Sequence, residues 1–231
     1  MRKILMALLL MLPVAGFAHT VAVIGTGDVA SALGPEFAAQ GHDVTYGSRK
    51  PDSDAAQELV EATPGTAKVM LPAAAVRGAD IVVLAVPASV VVSVAQSLGD
   101  LSGKILIDPT NAFRFTDNKL VEAVSDTPVA LSLQEAVPDA HVVKAFHVLN
   151  YRVMIDPELA GGPMTIPMVG DSAEAKATVT ALAEGMGFHT MDLGPVRYAK
   201  ELEGLLVLWF NARLSGQPFN YYFRPEPRPA G

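Results

Sequence analysis

An α/β fold, with a doubly wound, mainly parallel sheet closed by a C-terminal helix, is what this 231-residue sequence predicts. Three observations carry that expectation: near-continuous Val/Ile/Leu runs of strand length, helical apolar patterns between them, and a glycine-rich turn directly after the first run. Strands covered on both faces read as unbroken apolar runs, whereas half-exposed strands alternate. With half its residues hydrophobic and 18% charged, the chain can bury one sizeable core.

The N-terminus, "MRKILMALLLMLPVAGFAHT", sets Arg2 and Lys3 ahead of an apolar stretch and small residues before Ala18, the three-part build of a secretory signal. Residues 1–18 are therefore expected to be a signal peptide removed after Ala18. Twin arginines are absent, so the route is Sec-type and the destination periplasmic or exported. An uncleaved cytoplasmic chain is the alternative. The apolar stretch falls short of the ~20 residues that a membrane-spanning helix needs. Residues 19–215 are then the folded domain, and 216–231, ending in "RPEPRPAG", a frayed proline-rich tail.

Strands are expected at 21–24, in "HDVTYG", at 67–70, in "DIVVLAVP" (80–87), "KILIDPT" (104–110), "HVVKAFHV" (141–148) and "MTIPMVG" (164–170). Helices are expected at 31–40, stopping at Gly41, and at 88–98, 173–184 and 198–214. Asp171 and Glu174 in "GDSAE" have the spacing of a capping box. In the last helix, Trp209, Phe210 and their leucine neighbours read as a core or homodimer-interface stripe rather than a flavin platform. The following "FNYYF" suits either a cofactor edge or a partner subunit.

The absence of cysteine excludes a disulfide framework and thiolate metal sites, and the five histidines show no HExxH spacing, so no metal is expected. A net charge of −7 provides no broad basic surface for nucleic acid. Anions must be gripped locally. Gly25-Thr26-Gly27-Asp28-Val29-Ala30 is a GxGxxA between a strand and a helix: Gly25 for the turn, Gly27 for close backbone approach to a pyrophosphate, Ala30 for helix packing. Asp28 reads equally as no more than an acid favoured by the positive end of the helix. About 20 residues on, where NAD-binding domains carry an acid for the ribose hydroxyls, stand Ser48, Arg49 and Lys50. A hydroxyl and a guanidinium can bond a 2′-phosphate, with Lys50 as a supporting charge, for a preference of roughly a hundredfold or more. NADP(H) is the cofactor this predicts, and the fold is the Rossmann type. A solvated basic turn is the bland alternative.

"IGTGDVASAL" and "GSRKP", with "GKILIDPTNA", "VVKAFHVLN", "PMVGDSAEAK" and "MGFHTMDLGP" in the same order, resemble the F420-dependent NADP oxidoreductases and the NADPH-binding domain of the six-transmembrane metalloreductases. The resemblance implies pyrophosphate contacts from Thr26, Gly27, Asp28 and Val29, and 2′-phosphate contacts from Ser48 and Arg49. It sets Val86 and Pro87 along the nucleotide, with Asn111 and the segment Lys144, Ala145, Phe146 and His147 near the nicotinamide. His147 stands where the family usually has asparagine, and reads either as ligand-facing or as a satisfied loop histidine. Asp108 reads as a strand-end carboxylate bonding nearby amides. The implied function is an NADPH-dependent oxidoreductase passing hydride to a flavin or a deazaflavin such as F420, a small-molecule redox acceptor. The alternatives are a non-catalytic exported nucleotide-binding module and, last, a small imine or carbonyl reductase.

Overall fold

The computed structural model describes residues 18–162 and 164–224. The signal-peptide expectation thus lies almost wholly outside the described residues, as do residues 225–231 of the tail. Among the described residues no helix is long and apolar enough to cross a membrane.

The chain runs β1 (Thr20–Ile24), α1 (Asp28–Ala39), β2 (Asp43–Gly47), α2 (Asp54–Ala62), β3 (Lys68–Met70), α3 (Pro72–Val76), β4 (Ile81–Leu84), α4 (Val91–Ser97) and β5 (Ile105–Asp108). A two-stranded antiparallel ribbon follows, β6 (Phe113–Phe115) with β7 (Val121–Ala123). Then come α5 (Val129–Ala136), β8 (His141–Lys144), α6 (Tyr151–Ile155), β9 (Thr165–Gly170), α7 (Ala173–Gly185), β10 (His189–Asp192) and α8 (Ala199–Leu214).

Eight strands form one sheet in the order β10, β9, β8, β5, β4, β1, β2, β3. Every neighbouring pair is parallel except β8 with β9. Parallel pairing demands crossovers, and the intervening helices supply them. The two faces of the sheet are sorted by alternation along each strand. Val21 and Val23 of β1 point into a core shared with α1, α2, α6 and α7, while Ala22 and Ile24 point into a second core shared with α3, α4, α5 and α8. Gly34 lets α1 press close to β2, because a Cβ there would collide with the Tyr46 hydroxyl, which bonds Thr63 Oγ1 at 2.6 Å.

Because strand order reverses about β1, with β2 on one side and β4 on the other, a crevice opens at the carboxyl ends of these strands. The predicted fold is present, with shorter strands: the apolar tails of "DIVVLAVP", "KILIDPT" and "HVVKAFHV" lie beyond β4, β5 and β8 as the loops that line this edge. One cap differs from expectation. Ser172 is the N-cap of α7, accepting the Ala175 N–H, while Asp171 Oδ1 accepts the Val196 N–H at 3.0 Å. A tertiary donor outcompetes the local box. Beyond α8 the chain folds back, with the Tyr221 carbonyl accepting the Thr165 N–H at 3.3 Å and Tyr221 only 6% exposed.

Candidate functional site

Gly25 leaves β1 at φ +124°, where a side chain is strained, and a Cβ there would strike the Ala85 carbonyl after β4. The loop is therefore pinned between β2 and β4, with the Gly25 N–H on the Gly47 carbonyl at 2.9 Å. Gly27 is the N-cap of α1 and has open space where its Cβ would be. Thr26, Gly27 and Asp28 are exposed and Val29 is half-buried, while Ala30 is fully buried under the helix. Free first-turn amides facing open space are what a pyrophosphate requires. Arg152, which the sequence reading passed over, brings a positive charge from α6 within electrostatic reach of Asp28.

At the end of β2, Ser48 is 8% exposed and its Oγ accepts the Lys50 N–H at 3.1 Å. That bond shapes the turn and leaves the guanidinium of Arg49 and the ammonium of Lys50 on the surface. Helix α2 starts only at Asp54, after this turn. The Ser48, Arg49 and Lys50 turn flanks the phosphate loop, because Gly47, directly before it, accepts the Gly25 N–H, while on the other side Ser48 N–H bonds the Met70 carbonyl of β3 at 2.8 Å.

Val86 and Pro87 follow β4, half-buried and exposed respectively. Further along the same edge Asn111 and His147 come together: Asn111 Nδ2 donates to the His147 carbonyl at 2.8 Å. Both line a cavity of about 160 Å³ whose other walls include Phe113, Leu206, Trp209 and Phe210. The expectation of a core or homodimer-interface stripe rather than a flavin platform is corrected in part: Trp209 packs against the core, but it and Phe210 also line this cavity, because α8 brings that face against Asn111 and His147. Phe113 and Phe210 have ring centroids 4.9 Å apart, and Trp209 and Phe210 5.1 Å. Against these aromatic walls stand three buried polar atoms with no partner: Asn111 Oδ1, His147 Nδ1 and His147 Nε2. His147 is therefore not a satisfied loop histidine. Buried polar atoms are rarely left unpaired, so this set is suited to a polar ligand.

Phe146 supports the turn at φ +64°, a conformation bulky residues avoid. Ala145, fully buried in the core, contributes the turn rather than an exposed side chain. Lys144 is also fully buried: its Nζ lies 3.0 Å from Asp108 Oδ2 and 3.0 Å from Glu203 Oε1, and donates to the Thr110 carbonyl at 2.8 Å. Asp108 Oδ1 accepts the Thr110 N–H at 2.9 Å and hydroxyl at 2.7 Å, as a strand-end carboxylate should. The resemblance placed Lys144 beside the nicotinamide; sealed in this ion cluster, it acts only through its field. Burial first, and then the Lys144 charge, hold the His147 imidazole well below its usual pKa. The Leu202 backbone pulls the other way without meeting hydrogen-bond geometry to the ring. His147 is accordingly neutral, with one donor and one acceptor nitrogen. Burial likewise raises the Glu203 pKa, against the opposing pull of Lys144.

A Rossmann-type sheet with a phosphate loop, a basic turn at the second strand and an aromatic cavity at the same edge defines a nucleotide-binding redox fold. Residues 20–112 match the family described as NADP oxidoreductase coenzyme F420-dependent. The chain is 31% identical to the rat (Rattus norvegicus) metalloreductase STEAP3 over 189 residues, 81% of this chain and 36% of that protein. It thus spans about a third of the length of the curated relatives it matches. A candidate F420-dependent NADP-reductase from Arthrobacter sp. FB24 superposes with TM-score 0.80 at 28% identity, covering 91% of this chain and all of that one. A reductive aminase from Aspergillus terreus, solved with NADPH, shares the fold alone: TM-score 0.64 at 19% identity over 87% of this chain and 64% of that one. The chain is thus similar to the F420-dependent NADP oxidoreductases and to the metalloreductases, the resemblance its motifs carry.

Proposed function

We propose that this protein binds NADP(H) along the carboxyl edge of the sheet and passes hydride from it to a flavin or deazaflavin (F420-like) acceptor. The observation that carries the reading is the aromatic cavity, with its unpartnered Asn111 and His147 atoms, on the same sheet edge as the phosphate loop and the Ser48 and Arg49 turn. The residues present fit the dinucleotide: open space at Gly27 for the pyrophosphate, free cations at the second turn for the 2′-phosphate, and the unpaired Asn111 Oδ1 for the nicotinamide side. Bound NADPH supplies a hydride from its nicotinamide ring. The chain's own part is to fix both rings face to face and exclude water, work that orientation alone can perform. Phe113, Trp209 and Phe210 give a planar acceptor apolar walls, and neutral His147 gives it a hydrogen bond. The reading also takes in a homodimer contact through α8, resting on Leu208 and Leu214, which are 62% and 51% exposed.

Titration of the purified protein with NADPH and NADH, followed by anaerobic addition of FMN, FAD or F420, tests this directly. NADPH should bind more tightly than NADH and be consumed once an accepted ring is present. Binding without turnover on any ring would favour a non-catalytic nucleotide-binding module instead. Replacing Arg49 with alanine should weaken NADPH binding by about tenfold to a hundredfold and leave NADH binding nearly unchanged. Equal losses for both nucleotides would remove the 2′-phosphate assignment.

A further inference from the structure

The opposite edge of the sheet holds a second cluster with no part in the nucleotide site. His19, the residue before β1, donates its main-chain N–H to His42 Nδ1 at 3.1 Å, and the two imidazole centroids lie 5.6 Å apart. Main-chain bonds fix both residues: the Asp43 N–H donates to the His19 carbonyl at 3.0 Å, and the His42 N–H to the Phe37 carbonyl at 3.2 Å. Asp80 closes the group, with Oδ2 accepting the Thr20 N–H at 3.0 Å and lying 4.0 Å from His19 Nδ1. Because His42 Nδ1 accepts a hydrogen bond, its lone pair is aimed at the His19 nitrogen and the ring proton sits on Nε2. That nitrogen is an amide in the intact chain and a poor metal ligand. Removal of residues 1–18 would convert it into an α-amine, which can close a six-membered chelate ring with its own imidazole Nδ1.

We propose that cleavage after Ala18 creates a three-nitrogen copper(II) site from the His19 α-amine, His19 Nδ1 and His42 Nδ1, with the Asp80 carboxylate alongside. Among the described residues no three His, Cys, Asp or Glu side chains converge on a metal, so the main-chain amine is the donor that completes the set. Spacing supports it. Nitrogens bound at about 2 Å and at right angles stand ~2.8 Å apart, close to the 3.1 Å between His19 N and His42 Nδ1. Nitrogen donors with room for tetragonal geometry favour copper(II) over zinc(II). A cavity of about 410 Å³ beside His19 and Asp80 leaves space for water on the remaining positions. The site rests on the signal-peptide reading and is independent of the proposed hydride chemistry.

The test begins with the chain expressed with its own leader, purified from the exported fraction, its first residue read by mass spectrometry. His19 is expected there. Copper(II) chloride titrated into this material should bind at one equivalent and give an electron paramagnetic resonance spectrum split by several nitrogens. His42→Ala, with its fold checked by circular dichroism, should weaken binding by about a hundredfold or more, since even outer-shell partners of metal sites are worth 10 to 100-fold. Selective acetylation of the His19 α-amine in the mature chain leaves every side chain in place and should lose the site equally. A mature N-terminus elsewhere, or copper binding unchanged by acetylation of the α-amine or by His42→Ala, overturns the proposal.

Discussion

At the scale of single residues, His147 concentrates the chemistry of the site. Its folded pKa lies below the ordinary 6.5, so on acidification the unfolded chain takes up a proton that the folded chain refuses. Stability should therefore fall as pH drops through 6.5 towards the folded value, and His147→Asn should lose this part of the acid sensitivity, as thermal melts across that range would show. His147→Phe should raise the acceptor's KM up to about tenfold, the worth of one hydrogen bond, and affect the KM of NADPH less. Residue roles differ in how readable they are. The roles proposed for Ser48 and Arg49 can be read along the chain, because they depend on distance from Gly25 and Gly27. Lys144 does not, because its partners Asp108 and Glu203 are distant in sequence and meet only after the sheet and α8 assemble.

Elements were legible where one kind of surface dominated them. The five central strands, β1, β2, β4, β5 and β8, carry continuous or nearly continuous apolar runs and were all expected. Strand β10, "HTMD", is an edge strand with no fully buried residue, and the β6–β7 ribbon has only three residues per strand, so neither offers a hydrophobic run to read. Helix α7 was expected in place, but Ser172 and Asp171 are both competent caps, and only the position of Val196 decides between them. The turn from β1 into α1 is the element least able to change. Gly25→Ala should destabilise the fold by about 1 to 3 kcal/mol and abolish NADPH binding, measured by urea melts and calorimetry, because φ +124° and the Ala85 carbonyl both exclude a side chain. Helix α8 is held to the sheet by Glu203, whose Oε1 also accepts the Val129 N–H at 3.0 Å. Its pKa is raised above the ordinary 4.5, so ionising it costs stability as pH rises from 4.5 towards the folded value. Glu203→Gln should flatten the melting temperature across that window.

For the whole molecule, the doubly wound architecture followed from the order of apolar runs, whereas the aromatic cavity did not. Its walls come from Phe113, His147 and α8, three segments that only the tertiary fold brings to one edge. Leu206, Trp209 and Phe210 are spaced as a helical face, which by itself cannot distinguish a core stripe from a pocket wall. The same assembly encloses the Lys144 ion cluster on every side. A fully enclosed amine is beyond the reach of aqueous acylating reagents, so Lys144 can react only when the sheet opens as a unit. Peptide mapping after timed treatment with an N-hydroxysuccinimide ester should find Lys50 and Lys200 modified early and Lys144 last, at a rate that follows global unfolding. One ordinary lysine thereby becomes a covalent clock for the opening of the entire domain.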